Sequence, residues 1–302
     1  MRDFLRVYWP LILLAVAGII VALRFVEPAP PGSIRFAAGS PGGAYTAYAE
    51  RYRERLAEHG VTVEIVNTNG SVENLGLLHA GEVDAALLQG GLAGDTDGAD
   101  LRSLGGLFYE PFWVFVRTDY PAQNFDDLRT ARMAIGTPGS GTRALADKVQ
   151  AEFGGAWPEG ARQDRSGAEA AEALLQGDLD AAVFTAGISA PYVQQLLTAP
   201  DVRVLPFVRA PALSRRQPAL AEATLLRGVV DIGRDLPAQD IPMIAPVAQL
   251  AVNEDLHPAI QSILLEAAAG IHAPQSAFAQ AGRFPDGRAN DLPLSSEADR
   301  YY

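Results

Sequence analysis

The chain has no cysteine, which excludes a disulfide framework, a thiolate metal site, a cysteine nucleophile and a lipid-bearing cysteine. Lysine is almost missing: Lys148 is the one lysine among 24 basic residues, the rest being arginine, a bias of composition and not a mark of arginine-based recognition. Histidine is scarce too. His59, His79, His257 and His272 show no paired spacing, so they read as structural or solvated residues, and no metal-ligand spacing occurs. Positive charge is in deficit, with a formal net charge of −12; the resulting field repels nucleic acid and acidic membrane surfaces. Disorder is not indicated at 48% hydrophobic content, and 302 residues suffice for two ordinary domains.

Long apolar runs are absent except at one end. Arg2 and Arg6 precede an apolar stretch at 11–23, edged by Tyr8, Trp9 and Arg24, which is the charge order of an export signal. Residues 7–26 reach the roughly 20 residues of a membrane span if Arg24 snorkels. The small-x-small pattern of a cleavage site is poorly met by Val21-Ala22-Leu23, and the Pro-rich stretch at 27–32 reads as a stiff spacer. Two readings stay open, an uncleaved N-terminal anchor, which is favoured, and a removed signal. Both place the remainder outside the cytoplasm.

What the chain does have is repetition. Ile34-Arg35-Phe36-Ala37-Ala38-Gly39-Ser40-Pro41-Gly42-Gly43 is echoed by Ala131-Arg132-Met133-Ala134-Ile135-Gly136-Thr137-Pro138-Gly139-Ser140. Gly81-Glu82-Val83-Asp84-Ala85-Ala86 returns, at nearly the same offset, as Gly177-Asp178-Leu179-Asp180-Ala181-Ala182. Two matches at one offset imply two lobes of related design. In each, a short strand runs through a Gly-rich loop into a helix, which presents free backbone N–H groups to an anion.

Strand and helix patterns alternate from Ser33 onward, as in α/β layering about largely parallel sheets. The spacing predicts strands at 34–38, 61–65, 84–89, 112–116, 181–185 and 244–252. Tyr45, Tyr48, Ala49, Tyr52 and Leu56 share one helix face ended by Gly60. A second helix starts with Ser71 as N-cap and turns Val72, Leu75 and Leu78 inward. A helical turn is expected at 126–129. Leu145, Ala146, Val149 and Phe153 form one further helix face, and Ala171, Leu174 and Leu175 another. Prolines interrupt 186–245. Ile260, Ile263, Leu264, Ala267, Ala268 and Ile271 define a helix opened by Pro258 and broken at Gly270. The strand at 112–116 is the candidate crossing between lobes, and the polar tail beyond Arg283 is expected to wrap the surface or stay loose.

The first loop offers N–H groups near Gly43, Ala44 and Tyr45, with the Ser40 hydroxyl and Tyr45 phenol as further donors. The second offers Ser140, Gly141 and Thr142. Such glycines and serines also serve ordinary strand-to-helix turns. Neither loop carries G-x-x-x-x-G-K-[ST] or G-x-G-x-x-G, which argues against nucleotides. Asn69, Gly70 and Ser71 make a third polar cluster at a helix start. Gln89 ends a strand, where ligands collect in open α/β sheets. Asp84 and Asp180 read as loop stabilisers. Ser140 lacks the G-x-S-x-G frame and a histidine to activate it, so catalysis finds little support. Tyr45→Ala is expected to weaken binding and leave the fold intact.

With these motifs in view the chain resembles the TAXI family of solute-binding proteins, extracytoplasmic receptors of tripartite ATP-independent periplasmic (TRAP) transporters. The matching residues run from Gly39 to Tyr45, then through Thr68-Asn69-Gly70-Ser71-Val72-Glu73-Asn74-Leu75, Leu78 to Gln89, the loop from Gly136 to Thr142, and Gly177 to Gly187. A weaker match continues through Ala245-Pro246-Val247-Ala248-Gln249-Leu250 and Leu256-His257-Pro258-Ala259. The resemblance implies a two-lobed, hinged periplasmic-binding-protein type II fold that closes on a small organic acid, glutamate-like or C4-dicarboxylate-like, for a TRAP-type membrane transporter. It implies no cofactor and no metal. Carried over by position, the ligand shell is Ser40, Gly43, Ala44, Tyr45, Asn69, Gly70, Ser71 and Gln89 from lobe one, Ser140, Gly141 and Thr142 from lobe two, and Ala186 and Gly187 near the hinge. The expected division is 1–32 as signal or anchor and spacer, 33–117 with 246–302 as lobe one, and 118–245 as lobe two. Asn69 departs from the family, where a smaller residue is usual. Some longer relatives continue into a hydrophobic C-terminal segment, whereas this chain stops at Tyr301-Tyr302. An anchored sensor or accessory protein using the same cleft is the alternative function.

Overall fold

The computed structural model describes residues 8–9, 12–18, 29–93, 100–154, 157–158, 160–217 and 219–302. The chain divides into two compact units, Met1–Pro31 and Gly32–Tyr302. In the first, residues 8–9 and 12–18 are helical. No helix among the described residues is long and apolar enough to cross a membrane. Much of the expected anchor at 7–26 lies outside the described residues.

The second unit is built on two sheets. Ile34 and Phe36 point into the core from β1 (Ser33–Ala37), and Val63 does so from β2 (Thr62–Val66). These strands pair in parallel with each other, and β1 pairs in parallel with β3 (Ala85–Leu88). Two long antiparallel strands complete the layer: β4 (Leu101–Tyr109) and β11 (Ile241–Asn253), the latter pairing with β3, with β4 and with β10 (Leu220–Leu225). In the second sheet β6 (Met133–Ala134) lies parallel to β7 (Arg162–Gln163) and β8 (Ala181–Thr185). There β5 (Phe112–Arg117) runs antiparallel to β8 and to β9 (Val202–Val204).

Helices cover both sheets. In α1 (Ala44–Glu58), Tyr45, Ala49, Tyr52 and Leu56 are buried at helical spacing. The others are α2 (Ser71–His79), α3 (Gly141–Phe153), α4 (Gly167–Gln176), α5 (Pro191–Thr198), α6 (Ala210–Arg216), α7 (Pro258–His272) and α8 (Ser296–Tyr301). The expected turn at 126–129 is a single 3-10 turn, Phe125–Leu128, closed by an Asn124 capping box. Phe36, Tyr52, Leu250 and Leu264 belong to the core of the first lobe, and Phe112, Phe125, Met133 and Val183 to one core of the second. Trp113 is fully buried in another cluster with Phe115, Leu174 and Phe184.

The repeat is a repeat of structure. Phe36 and Ala37 register with Ala85 and Ala86, as Met133 and Ala134 register with Ala181 and Ala182. At the foot of each pair an aspartate closes the turn. Asp84 Oδ2 accepts the Arg35 N–H at 2.7 Å, and Asp180 Oδ2 accepts the Arg132 N–H at 2.8 Å.

Several sequence expectations are corrected. The lobe boundary at 117 is too late, because β5 hydrogen-bonds within the second sheet; the crossing falls at Glu110-Pro111. The expected boundary at 245 falls inside β11, where Ile241, Met243, Ile244 and Ala245 pack with Leu220 and Ala223 in the cores of the second lobe and Ala248, Leu250 and Val252 in that of the first. Val72 is 41% exposed, because α2 turns Ser71, Asn74 and Leu78 inward instead. Asn74 Nδ2 donates to the Leu87 and Ala38 carbonyls there, so hydrogen bonding decides that face. Gly70, and not Ser71, is the N-cap of α2, at φ 120°, which glycine tolerates. Helix α7 runs through Gly270 to His272; a glycine costs about 1 kcal/mol inside a helix, less than its buried face returns. The tail wraps: Phe284, Leu292 and Ala298 are buried, and the Tyr302 phenol donates to the Leu104 carbonyl at 2.8 Å.

Candidate functional site

A cavity of about 510 Å³ opens between the lobes, lined by residues of the repeated loops and by helix starts from both. That volume suits a small organic molecule. In the first loop Gly42 stands at φ 78°, and its repeat equivalent Gly139 at φ 82°; each lets the chain reverse from strand into helix without Cβ strain. Gly43 is the N-cap of α1 and no side chain caps that end. The N–H groups of Ala44 and Tyr45 therefore start the helix without intrahelical partners, on the wall of the cavity. The Ser40 carbonyl is occupied by the Gly43 N–H and the Thr46 hydroxyl, at 3.0 and 2.9 Å.

The second lobe differs in detail. Ser140 caps α3, its Oγ accepting the Arg143 N–H at 3.2 Å and donating to the Thr137 carbonyl at 2.7 Å. Thr142 Oγ1 accepts the Thr185 N–H at 3.0 Å. The hydroxyl of Ser140 thus shapes the loop, while Gly141 and Thr142 bring backbone N–H groups to the cavity. Gln89, 3% exposed at the end of β3, reaches across and donates from Nε2 to the Gly141 carbonyl at 3.2 Å. The lobes touch at that bond.

The third cluster sits on the first lobe. Asn69 is exposed, and its backbone N–H and Nδ2 both bond Glu73 Oε2 at 2.8 Å. Ser71 Oγ accepts the Gln89 N–H at 2.8 Å and lies 3.3 Å from the Tyr45 phenol oxygen. Twelve of the thirteen residues expected from sequence line this one cavity: Ser40, Gly43, Ala44, Tyr45, Asn69, Gly70, Ser71, Gln89, Ser140, Gly141, Thr142 and Ala186. Gly187 is outside the lining. Its carbonyl accepts the Ala190 N–H in the turn that opens α5, which carries it past the wall.

Sequence reasoning missed Glu110 and the wall formed by Ser166, Gly167, Thr185 and Tyr192. The repeat itself contained part of that signal. The offset that relates Gly42 to Gly139 carries Gly70 onto Gly167, and both have positive φ at a helix start. A neighbouring offset carries Gln89 onto Thr185, at the ends of the equivalent strands β3 and β8. Helix α4 begins at Ser166 with no side-chain cap, as α2 begins at Gly70.

Among the described residues lining the cavity there is no lysine, arginine or histidine. Arg143, one turn into α3, bonds Asp164 at 2.6 Å and Asp147 at 3.2 Å. Glu110 is 4% exposed, and burial pushes its carboxyl up to about 8, against the opposing effect of the bond it accepts from the Tyr45 phenol at 2.7 Å. Burial, with Glu110 adding to it, raises Tyr45 well above the usual phenol range and Tyr192 to about 12. No group of three or more carboxylate and histidine residues among the described ones could hold a metal ion.

Known structures share this architecture. A protein from Bordetella bronchiseptica RB50 superposes with a TM-score of 0.57 at 16% identity, over 89% of this chain and 96% of that one. The effector-binding domain of a BenM variant gives 0.54 at 14% identity, over 80% and 95% of the two chains. The alkanesulfonate-binding protein SsuA of Xanthomonas axonopodis pv. citri, bound to MOPS, gives 0.50 at 19% identity, over 81% and 75%. These likenesses are of fold, the two-lobed α/β arrangement of periplasmic binding proteins. Residues 36–302 match the NMT1-like family, and the chain therefore belongs to that family.

Proposed function

We propose that this protein captures a small organic acid, of the glutamate or C4-dicarboxylate kind, in the interlobe cavity and delivers it to a membrane transporter of the TRAP type. The carrying observation is that uncapped helix starts from both lobes meet at one cavity that has no cationic side chain in its described lining. A carboxylate is one of the small anions such termini hold. One terminus contributes at most about 2 kcal/mol, a factor of about 30, so micromolar affinity needs both lobes to engage the ligand. Closure follows, because only the closed form offers both sets of donors.

In this reading the ligand's carboxylate lies against the N–H groups of Ala44, Tyr45, Gly141 and Thr142, with the Tyr45 and Ser71 hydroxyls beside it. The basic and apolar N-terminal stretch places the binding unit on the extracytoplasmic side, held by that segment or released from it. Native mass spectrometry of the protein as purified, followed by a thermal-shift panel of amino acids, dicarboxylates and 2-oxo acids, tests the reading. A retained acid, or a stabilising shift that grows with its concentration, is the expected result. No retained mass and no shift with any member of the panel would sink it.

A further inference from the structure

Glu110 sits where the chain crosses between the sheets, and a carboxyl group in a cavity built for an anion calls for a reason. Its Oε2 accepts from the Tyr45 phenol at 2.7 Å; that phenol lies 3.3 Å from Ser71 Oγ, which holds the Gln89 N–H at 2.8 Å. The groups make one buried polar chain from the lobe crossing to the start of α2. Among the described residues, the titratable side chains that face Glu110 are phenols: Tyr45 and Tyr48 from α1 and Tyr192 from α5. Arg143, which follows Thr142 of the opposite wall, is bound to two aspartates. An ionised Glu110 thus has a hydrogen-bond donor but no cation, and a carboxylate ligand placed beside it would meet a like charge at low dielectric.

We propose that an anionic ligand enters this cavity together with one proton, which is held on Glu110 and makes Glu110 a specificity-determining residue for acids. This rests on the carboxylate reading given above. The proton comes from solvent and forms the O–H bond of a neutral carboxylic acid; no other bond changes. With the proton in place the chain reverses. Glu110 donates to the Tyr45 oxygen, and the Tyr45 O–H is free to donate to the ligand. Without it Glu110 consumes the phenol's hydrogen and turns only lone pairs toward the cavity. Burial already raises the empty site's carboxyl to about 8, so at neutral pH most molecules are ready, and the linkage becomes visible in mild alkali.

Isothermal calorimetry with succinate, 2-oxoglutarate and L-glutamate, each from pH 6 to 9 in two buffers of different ionisation enthalpy, reads the proton directly. Affinity for the probe that binds is expected to be flat below pH 7 and to fall toward tenfold per pH unit above about 8. Proton uptake should rise from near zero at pH 6 toward one at pH 9. In Glu110→Gln the uptake and the alkaline fall should both vanish, whatever the variant's affinity; a group that merely packs would leave them in place. Affinity that stays flat to pH 9, or a proton released on binding, overturns the inference while the carboxylate reading stands. No heat from any probe overturns that reading and the inference with it.

Discussion

Tyr45 shows how one side chain serves two purposes. Its ring is edge-on to Phe108 at 6.4 Å within the first core, while its hydroxyl reaches Glu110 and Ser71 in the cavity. The sequence expectation that Tyr45→Ala leaves the fold intact is therefore withdrawn: losing a buried ring costs about 3–5 kcal/mol. Tyr45→Phe separates the two purposes. It keeps the ring and leaves Glu110 without its hydrogen-bond partner, so unfolding in urea should show a loss of about 1–3 kcal/mol while ligand affinity drops at least tenfold. Affinity equal to that of the wild type would mean that the phenol does not face the ligand. The loops were legible because the sequence repeats them: Gly and Ser alone also make ordinary strand-to-helix turns, but the phrase at 34–43 returns at 131–140. Glu110 was not. It is one carboxylate between Phe108-Tyr109 and Pro111-Phe112-Trp113, and only the pairing of β4 with β11 puts it at the crossing.

At the scale of elements the duplicated aspartates test whether the repeat is a device of folding or of binding. Asp84 and Asp180 each accept an N–H of the adjacent strand, Asp180 also bonding the Arg132 guanidinium at 2.6 Å. Neither lines the cavity. Replacing either with alanine should cost about 1–3 kcal/mol in denaturant midpoints, with ligand affinity unchanged by calorimetry. A specific loss of affinity at equal stability would place the turns in the binding machinery after all. The same scale explains what the pattern of apolar residues hid. Strand β4 carries Gly105 and Gly106 in its middle, close to the Tyr302 hydroxyl and the Ala289 carbonyl, so its sequence lacks the β-branched run of a central strand. The helices at 191–198 and 210–216 open on or next to a proline, where proline is welcome, so the residues that obscured the region also start its elements. Val72 and Ser71 exchange their expected places because polar contacts to strand ends outrank hydrophobicity on that face.

For the whole molecule the consequence is a stability profile with two limbs. Burial holds His272 down at about 3 from its ordinary 6.5, with Arg51 contributing, where it stacks on Phe108 and lies against Tyr48. Neutral when folded, it costs stability as pH falls from 6.5 toward 3, where only the unfolded chain takes up the proton. Glu110 acts in the opposite sense: raised from 4.5 to about 8, it costs stability as pH rises through that interval, where only the unfolded chain releases its proton. Between 4.5 and 6.5 the two differences cancel, since the folded state holds one proton more on Glu110 and one fewer on His272. These groups therefore give a plateau in mild acid, with roughly 2 kcal/mol lost between pH 6.5 and 8 and a similar amount between 4.5 and 3. Urea midpoints measured across this range on ligand-free protein should follow that shape. Glu110→Gln should remove the alkaline limb and His272→Phe should soften the acid one, leaving the part that belongs to ion-paired carboxylates such as Asp180 and Asp286. An alkaline limb that survives in Glu110→Gln would show that the buried carboxyl is not what titrates there.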